Sequence, residues 1–274
     1  MFETILENVK AKAPFVHSIT NYVTVNDCAN MILACGASPI MADDIREVEE
    51  ITSLCNSLVI NLGTLNERTV EAMVAAGKKA NELGHPVILD PVGAGASQLR
   101  TKTALRLLQE VEVDVIRGNA SEIKCISKGT ASTKGVDADQ ADKVTEDNLE
   151  AAVKAAKQLA GRTKAIIVIT GVIDIVADAT KAYVLRNGTP VMSRITGTGC
   201  MLSAVIGSIC AANPDNLLEA AAAGVAMMGI CGEQAYEKMT ARQEGTASFR
   251  VHLIDAMGCM DGERLNQAVR LEVM

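Results

Sequence analysis

Three polar residues that could do chemistry each close a short apolar run of the sequence: Asp90, Arg117 and Thr170. Ligands of an open α/β sheet collect beyond the carboxyl ends of its strands, so side chains at these positions are well placed to bind one. An aspartate there contacts a metal ion or a phosphate, or only caps a turn. A guanidinium grips a phosphate, or lies on the surface as an isolated charge. Together the three positions indicate a candidate metal and phosphate site.

The segment "RGNASEI", which begins at Arg117, adds a second carboxylate, Glu122. Magnesium prefers oxygen ligands and keeps part of its water shell, so Glu122 could hold a hydrated ion. Taken alone, this glutamate is equally compatible with a surface charge. Asp90 opens "DPVGAGAS", whose glycines let the backbone approach a ligand closely. Asp90 and Glu122 are therefore the candidate metal ligands.

Residues 195–200, "ITGTGC", have the pattern of a strand end, a glycine turn and the start of a helix. Gly197 and Gly199 would leave backbone N–H groups free at that helix start, and these donors with the helix dipole favour an anion. Tight packing is the alternative role for the glycines. The P-loop motif GxxxxGK[ST] is absent and the turn lacks the third glycine of GxGxxG, so neither a P-loop nor a Rossmann protein is indicated.

Hydrophobic patterning predicts the elements that must position these residues. Apolar runs without period-two alternation predict strands buried on both faces of a parallel sheet. These runs are residues 58–62, 86–90, 113–117 and 165–170. Apolar residues with helical spacing separate the runs, at 70–77, 104–111 and 149–159. The alternation of strands and helices predicts one α/β domain over residues 1–274.

Local signals mark the boundaries of several elements. Thr145 is predicted to be a helix N-cap, and Gly36 and Gly84 are predicted to end helices just before new strands. The polar, glycine-containing segment 127–142 is predicted to be an exposed loop.

The pattern changes from Val172 onward to short strands with an Asn187-Gly188 turn of the kind that closes a hairpin. These strands predict an antiparallel edge on the parallel sheet. The chain after Cys200 is predicted to be mostly helical, including a helix through the Ala-rich and Gly-rich segment 217–239.

Composition excludes several classes of function. The 274-residue chain is 49% hydrophobic, but its formal net charge of −7 and aromatic content of 2% supply neither the basic surface nor the stacking platforms of nucleic-acid binders. Residues 217–231 are interrupted by Glu219, which favours a buried helix over a membrane span. Eight cysteines include no CxxC pair, so we expect no zinc site and a reduced, cytoplasmic protein. His17 and His85 are expected to be structural, and no motif surrounds His252.

Several ordered motifs, spread over nearly the whole chain, carry a specific resemblance to a known family. They are "HSITNYVTVNDCANMILACGASPIMA" (17–42), "LVINLGTL" (58–65), "VILDPVGAGAS" (87–97), "IRGNASEI" (116–123), "VITG" (168–171), "ITGTGCMLSAVIGS" (195–208), "GICGEQA" (229–235) and "GTASFRVHLIDAM" (245–257). On these motifs the chain resembles the hydroxyethylthiazole kinase family of the ribokinase-like superfamily. The resemblance implies a ribokinase-like three-layer α/β fold, with a mostly parallel central sheet flanked by helices and an antiparallel edge.

The resemblance also implies ATP-dependent phosphorylation of the hydroxyl of 4-methyl-5-(2-hydroxyethyl)thiazole in thiamin salvage. By similarity, the segment from Asn119 to Glu122 is the NxxE element of the superfamily. Asp90 and Glu122 are then expected to organise magnesium, and Arg117 and Thr170 to contact the phosphates of ATP.

The thiazole-binding positions of the family map to Asn21, Val23, Met41 and Gly197, and Met41 offers an adaptable apolar wall with a polarizable sulfur. The family is typically trimeric, with active sites between neighbouring subunits. By similarity, the segment around Asn21 to Met41 would complete the pocket of a neighbouring subunit.

Cys200 stands where relatives such as ribokinase usually carry aspartate, in a GxGD turn. A loose phosphoryl-transfer transition state needs the hydroxyl proton removed only late, so a modest base suffices. We expect the helix start to favour the Cys200 thiolate, while the backbone of Gly197, Thr198 and Gly199 stabilises charge on the transferring group. The alternative is a structural role, in which a small side chain fits the start of a buried helix.

Three other functions remain open from the sequence. A kinase of the same superfamily acting on hydroxymethylpyrimidine or a sugar would share the fold and differ in residues 17–42. A thiol hydrolase or acyltransferase would use Cys200 as nucleophile, with His17 or His85 as base. A non-catalytic nucleotide-binding module is the third, and the combination of Asp90, Glu122 and Arg117 argues against it.

Overall fold

One mixed sheet of nine strands runs through the computed structural model, which describes residues 2–129 and 142–274. The strands are β1 (Phe15–Ile19), β2 (Ser38–Ile40), β3 (Ser57–Asn61), β4 (Val87–Asp90), β5 (Val115–Asn119), β6 (Ile166–Thr170), β7 (Asp174–Ala177), β8 (Ala182–Leu185) and β9 (Leu271–Val273). Their order across the sheet is β2-β1-β3-β4-β5-β6-β7-β8-β9. Pairing is parallel from β2 to β6 and antiparallel from β6 to β9. The predicted parallel sheet with an antiparallel edge is confirmed.

Helices cover both faces of this sheet. They are α1 (Glu3–Lys12), α2 (Val25–Ala34), α3 (Val48–Leu54), α4 (Glu67–Leu83), α5 (Gln98–Glu110), α6 (Ala120–Lys128), α7 (Leu149–Thr163), α8 (Thr198–Ala212), α9 (Leu217–Ala241), α10 (Thr246–Gly258) and α11 (Gly262–Ala268). One apolar cluster joins the sheet to α1, α2 and α8–α11, and a second joins the other face to α3–α7. The three-layer arrangement that the resemblance implies is confirmed. No helix among the described residues is long and apolar enough to cross a membrane.

The alternation of side chains along the strands decides which residues face α8. Val59, Ile88 and Val115 belong to the apolar cluster that contains α8 and α9. Because successive side chains of a strand point to opposite faces, the residue two places further along points to the same side. On β3, β4 and β5 these residues are Asn61, Asp90 and Arg117. Three polar side chains of neighbouring strands are thereby directed toward the start of one helix.

One strand extends beyond its predicted end. β5 was predicted to close at Arg117, but Gly118 and Asn119 continue the ladder with β6, and Asn119 pairs with Thr170. Arg117 therefore lies inside β5, and its long side chain reaches along the sheet toward the carboxyl edge. The other three predicted strands match within about two residues, as expected for element boundaries.

The predicted hairpin turn at Asn187-Gly188 is wrong. The β7–β8 hairpin turns instead at Asp178–Lys181, where Asp178 Oδ1 accepts hydrogen bonds from the backbone N–H groups of Thr180 (2.6 Å) and Lys181 (2.7 Å). Asn187 and Gly188 follow β8, where the Gly188 N–H donates to the Glu233 carboxylate of α9 at 2.7 Å. An aspartate that accepts from its own turn is thus the stronger local signal here.

The helix ends agree with the glycine predictions. Gly36 and Gly84 follow α2 and α4 in left-handed backbone conformation, with φ of +89° and +69°, before β2 and β4. Thr145 is the N-cap of a 3₁₀ turn at Glu146–Asn148, and α7 follows this turn directly from Leu149. In the predicted loop 127–142, residues 127 and 128 belong to α6, and residues 130–141 lie outside the described residues.

Candidate active site

Asp90 is the fully buried centre of a polar cluster at the carboxyl edge of the sheet. Its Oδ2 atom accepts hydrogen bonds from Asn61 Nδ2 at 2.9 Å and Ser203 Oγ at 2.8 Å, and Arg117 Nη1 lies 3.4 Å away. Its Oδ1 atom has no partner among the described residues. Burial raises the pKa of Asp90, and the Arg117 cation and the hydrogen bonds oppose that rise. A buried carboxylate oxygen without a donor is suited to a cation or an ordered water.

The Arg117 guanidinium lies between this carboxylate and the start of α8. Its Nη2 donates to Thr170 Oγ1 at 2.7 Å, while its buried Nε has no partner in the described part of the chain. A Cβ atom on Gly199 would lie 2.5 Å from Arg117 Nη1, so only glycine lets the guanidinium approach the helix so closely. The predicted pair Arg117 and Thr170 is therefore brought together beside the glycine turn.

The start of α8 offers backbone donors to the same space. Gly197 is the N-cap of α8 with φ of +89°, and a Cβ there would lie 2.5 Å from the Thr24 methyl group. The first N–H groups of a helix have no intrahelical acceptor, and Gly197 has no side chain to cap them. The Thr198 hydroxyl donates back to the Met192 carbonyl at 3.3 Å. The packing and anion interpretations of these glycines are therefore compatible, since close packing leaves the amides of residues 198–200 available.

Glu122 and Asn119 form a capping box at the start of α6. Asn119 Oδ1 accepts from the Glu122 N–H at 2.9 Å, and Glu122 Oε2 accepts from the Asn119 N–H at 2.8 Å. Glu122 Oε1 accepts from the Gly93 N–H at 2.7 Å. Burial, and then the charge of Asp90, raise the pKa of Glu122 to about 7. The NxxE element thus has a structural role of its own, and it places a second buried carboxyl group near Asp90.

The two carboxyl groups fit a magnesium ion. Asp90 supplies an unpartnered oxygen, and Glu122 has its oxygens fixed by backbone N–H groups, so it suits a water of the ion. Among the described residues, no three His, Cys, Asp or Glu side chains are arranged to hold a metal. Magnesium commonly keeps several waters and takes its other ligands from phosphates, so two carboxyl groups suffice.

Cys200 lies in the same cluster, close to Asn21. Asn21 Nδ2 lies 3.4 Å from the Cys200 Sγ atom and donates to it. Burial and the charge of Asp90 raise the pKa of the Cys200 thiol. Burial and the charge of Asp90 therefore oppose the expected stabilisation of the Cys200 thiolate by the helix start, and that stabilisation stays a prediction.

The predicted thiazole-binding residues are only partly brought together. Asn21 lies within the cluster, and its Oδ1 accepts from Thr24, the residue that packs on Gly197. Val23 is 56% exposed and lines a cleft of about 400 Å³ with residues of α10 and with Ile195 and Thr196, which directly precede Gly197. Met41 follows β2, the outermost strand, with β1 and β3 between it and the strand of Asp90.

Sequence reasoning missed three residues of the cluster: Asn61, Ser203 and Thr24. Asn61 is the one polar residue inside the run "LVINL", which is a signal that a polar side chain interrupts a buried strand. Ser203 carried no comparable signal, since its position relative to Asp90 depends on how α8 packs on β3 and β4. Thr24 carried no signal either, because it joins the cluster only through the close approach of two segments far apart in sequence.

The predicted structural role of His17 is confirmed, and the thiol-enzyme alternative loses its base. The His17 ring is buried, with Nδ1 2.9 Å from Thr52 Oγ1 and Nε2 2.8 Å from the Ala42 carbonyl oxygen. Thr52 belongs to α3, on the opposite face of the sheet from Cys200. His85 precedes β4 at the opposite end of that strand from Asp90. Neither histidine is placed to activate the thiol.

The fold and the cluster at its carboxyl edge together define a kinase of ribokinase-like architecture. A solved ribokinase-like superfamily protein from Enterococcus faecalis superimposes with a TM-score of 0.60, covering 92% of this chain and 88% of that chain, and at 12% identity it shows the fold alone. The sequence profile of the Hydroxyethylthiazole kinase family matches residues 6–263.

Closer relatives specify the family. A hydroxyethylthiazole kinase of Clostridium acetobutylicum is 59% identical over 272 residues, which are 99% of each chain. The solved structure of a hydroxyethylthiazole kinase from Pyrococcus horikoshii superimposes with a TM-score of 0.87 at 35% identity, covering 100% of this chain and 98% of that chain. The chain belongs to the hydroxyethylthiazole kinase family.

Proposed function

We propose that the protein transfers the γ-phosphoryl group of ATP to the hydroxyl of 4-methyl-5-(2-hydroxyethyl)thiazole, with magnesium, in thiamin salvage. One observation carries the proposal beyond family membership. A buried carboxylate with one unpartnered oxygen, a guanidinium and a helix start converge on one space. Phosphoryl transfer needs such a combination, because its catalysis depends mainly on positioning and on stabilisation of the phosphate charges.

Each group of the cluster has a distinct role in the proposed reaction. Arg117, with Thr170 beside it, binds phosphate oxygens of ATP, and the N–H groups at the start of α8 stabilise charge on the transferring group. Asp90 and Glu122 hold the magnesium ion, which neutralises phosphate charge when it is bound.

Cys200 is proposed to accept the hydroxyl proton of the alcohol. Only the thiolate can take that proton, so Cys200 acts after its own proton has left to solvent; burial and the charge of Asp90 raise the pKa of the thiol, which makes the thiolate scarcer but more basic. This is compatible with a loose transition state, in which the hydroxyl proton leaves late. The donor Asn21 Nδ2 would stabilise the negative charge of the Cys200 thiolate before it takes the proton.

We further propose that the active site is completed by a second subunit of a homotrimer. Tyr22 and Val23 are 79% and 56% exposed beside Asn21, and Met41 is only partly buried. A neighbouring subunit would cover these apolar side chains and close the thiazole pocket. Light scattering would test this, with a mass of about three times the 28.8 kDa of one chain expected. A monomer with full activity would contradict it.

A cytoplasmic location is part of the proposal. All eight cysteines lie in the described residues and none forms a disulfide there, as expected in a reducing compartment.

The function is tested by ADP release from magnesium-ATP. The acceptors compared are 4-methyl-5-(2-hydroxyethyl)thiazole, hydroxymethylpyrimidine, ribose and none, with mass spectrometry of the product. ADP release confined to the thiazole, with formation of its monophosphate, is expected. Release with another acceptor would retain a kinase and reject the substrate, while no release with any acceptor would reject the proposal.

A further inference from the structure

Asn61 joins the two halves of the cluster with both ends of its side-chain amide. Its Nδ2 donates to Asp90 Oδ2 at 2.9 Å, on the side where magnesium is proposed to bind. Its Oδ1 accepts from Asn21 Nδ2 at 2.9 Å, on the side where the alcohol is proposed to bind. The residue is 2% exposed, so these bonds are sheltered from water.

The backbone explains why the two strands present these side chains together. Asn61 and Asp90 are the last residues of β3 and β4, and they are direct partners in the parallel register. Asn61 Oδ1 also accepts from the Gly63 N–H at 2.9 Å. This hydrogen bond closes a local turn of a kind that several polar residues can form. Such a turn uses only the acceptor of the amide. The donor end, aimed at Asp90, therefore requires a separate explanation.

The bond to Asn61 fixes the orientation of Asn21. One Nδ2 proton of Asn21 points to Asn61 Oδ1 and the other to Cys200 Sγ. Its Oδ1 accepts from the N–H and the hydroxyl of Thr24, both at 3.1 Å. Every polar position of the Asn21 amide is thus engaged, and rotating it would break bonds on both sides.

We propose that Asn61 is a positioning residue that aligns Asn21 and Cys200, on the alcohol side, with Asp90, on the magnesium side. Ser203 positions the magnesium side alone, because its Oγ donates to Asp90 Oδ2 and otherwise lies 3.4 Å from the Gly199 carbonyl of its own helix. The inference rests on the proposed function, since it assigns the two sides by the ligands proposed there.

The test compares Asn61→Ala with Ser203→Ala and the control Ser208→Ala. Ser208 is also buried in α8, but its Oγ donates to the Ala204 carbonyl at 2.9 Å, within the helix. Calorimetry without metal or nucleotide gives the Kd for the thiazole, and electron paramagnetic resonance of Mn²⁺ gives the Kd of the metal in the presence of ADP. Steady-state kinetics adds kcat and the KM for the thiazole.

We expect Asn61→Ala to weaken thiazole and Mn²⁺ binding about tenfold each, the usual effect of losing one buried hydrogen bond. Ser203→Ala is expected to weaken only Mn²⁺ binding and to lower kcat, with the KM for the thiazole unchanged. Ser208→Ala is expected to change none of these quantities. A general loss of structure would instead weaken thiazole binding and Mn²⁺ binding together, whichever of the three residues is replaced. The difference between Asn61→Ala and Ser203→Ala therefore distinguishes positioning from such a loss.

Two results would overturn the inference. One is a native thiazole Kd in folded Asn61→Ala, and the other is the same pattern in Ser208→Ala as in Asn61→Ala. If Asn61→Ala does not fold, Asn61→Asp keeps the acceptor for Asn21 and loses the donor to Asp90. Asn61→Asp is then expected to retain the native thiazole Kd and to change the Mn²⁺ Kd. An unchanged Mn²⁺ Kd would refute the proposed link between Asn61 and Asp90. Failure of the native protein to bind the thiazole would instead reject the proposed function.

Discussion

Adding one methyl group at Gly199 separates activity from stability. Gly199 lies in the first turn of α8 and has an ordinary helical backbone, so alanine is conformationally acceptable there. Alanine is favoured over glycine in helices by about 1 kcal/mol. The new Cβ, however, would lie 2.5 Å from Arg117 Nη1 and 2.8 Å from Nη2. The substitution therefore displaces the proposed phosphate-binding guanidinium without straining the helix that carries it.

The size of the effect follows from this geometry. An ordinary contact between a methyl carbon and a nitrogen is about 3.5 Å, so the guanidinium must move by about 1 Å. That movement disturbs its hydrogen bond to Thr170 and its contact with Asp90, and it misaligns the group with the phosphates. Loss of one charge-assisted hydrogen bond costs about 1.5–3 kcal/mol, which corresponds to about 10- to 150-fold in rate or binding. We expect kcat/KM for ATP to fall about 100-fold in Gly199→Ala while the protein stays folded, because the helix gain of about 1 kcal/mol offsets part of the lost contacts.

Coupled ADP-release kinetics with varied ATP, together with thermal unfolding, measures both quantities. Gly258→Ala is the matched control, because a Cβ at Gly258, the last residue of α10, makes only an ordinary contact at 3.9 Å with the Ala34 carbonyl oxygen. This control is expected to retain native kinetics. A folded Gly199→Ala protein with native kcat/KM for ATP would refute the placement of Arg117 on the phosphates.

Three further outcomes are expected. Cys200→Ala should lower kcat about 100-fold, which is the usual rate contribution of a proton acceptor, while Cys200→Asp should retain turnover. A native kcat in Cys200→Ala would exclude the thiol from proton transfer. Burial lowers the pKa of His17 despite its bond to the Ala42 carbonyl. The unfolded chain therefore binds the proton more readily than the folded chain. The stability contributed by the neutral ring is present above about pH 6.5 and is lost as the pH falls below that value. Urea unfolding of the native protein and His17→Gln should show a smaller acid loss in the variant, and equal losses would contradict this. Gly207→Ala should destabilise the fold by about 1–3 kcal/mol, because its Cβ would overlap the Val59 side chain, and an unchanged urea midpoint would contradict that packing.

Much of the fold was predictable because it depends on local patterns. Unbroken apolar runs specify strands covered on both faces, and the two apolar clusters on opposite sides of the sheet satisfy that requirement. The hairpin turn was mispredicted because two turn signals compete within a few residues. Asp178 forms the turn, whereas Asn187 and Gly188 are engaged by Glu233 of α9, a contact set by long-range packing.

The site was predictable in its charged residues and less completely in its neutral ones. Asp90 and Arg117 stand out because a charge beside an apolar run is costly unless it is paired or functional. Ser203 does not stand out, since a serine in a helix is ordinary until packing places it 2.8 Å from a buried carboxylate. The same limit applies to the orientation of Asn21, which is set by hydrogen bonds from segments distant in sequence.

The neighbours of residue 200 give a physical reason for a thiol rather than a carboxylate at the start of α8. Asp90 is fully buried, and its charge already raises the pKa of the Cys200 thiol, with Arg117 opposing that effect. A carboxylate at residue 200 would place a second charge in the same buried space, competing for the same guanidinium. A neutral thiol avoids that repulsion before the nucleotide binds, and Asn21 can still donate to its sulfur. The consequence is that only a small fraction of Cys200 is thiolate at neutral pH, which a reaction that removes the hydroxyl proton late can accommodate.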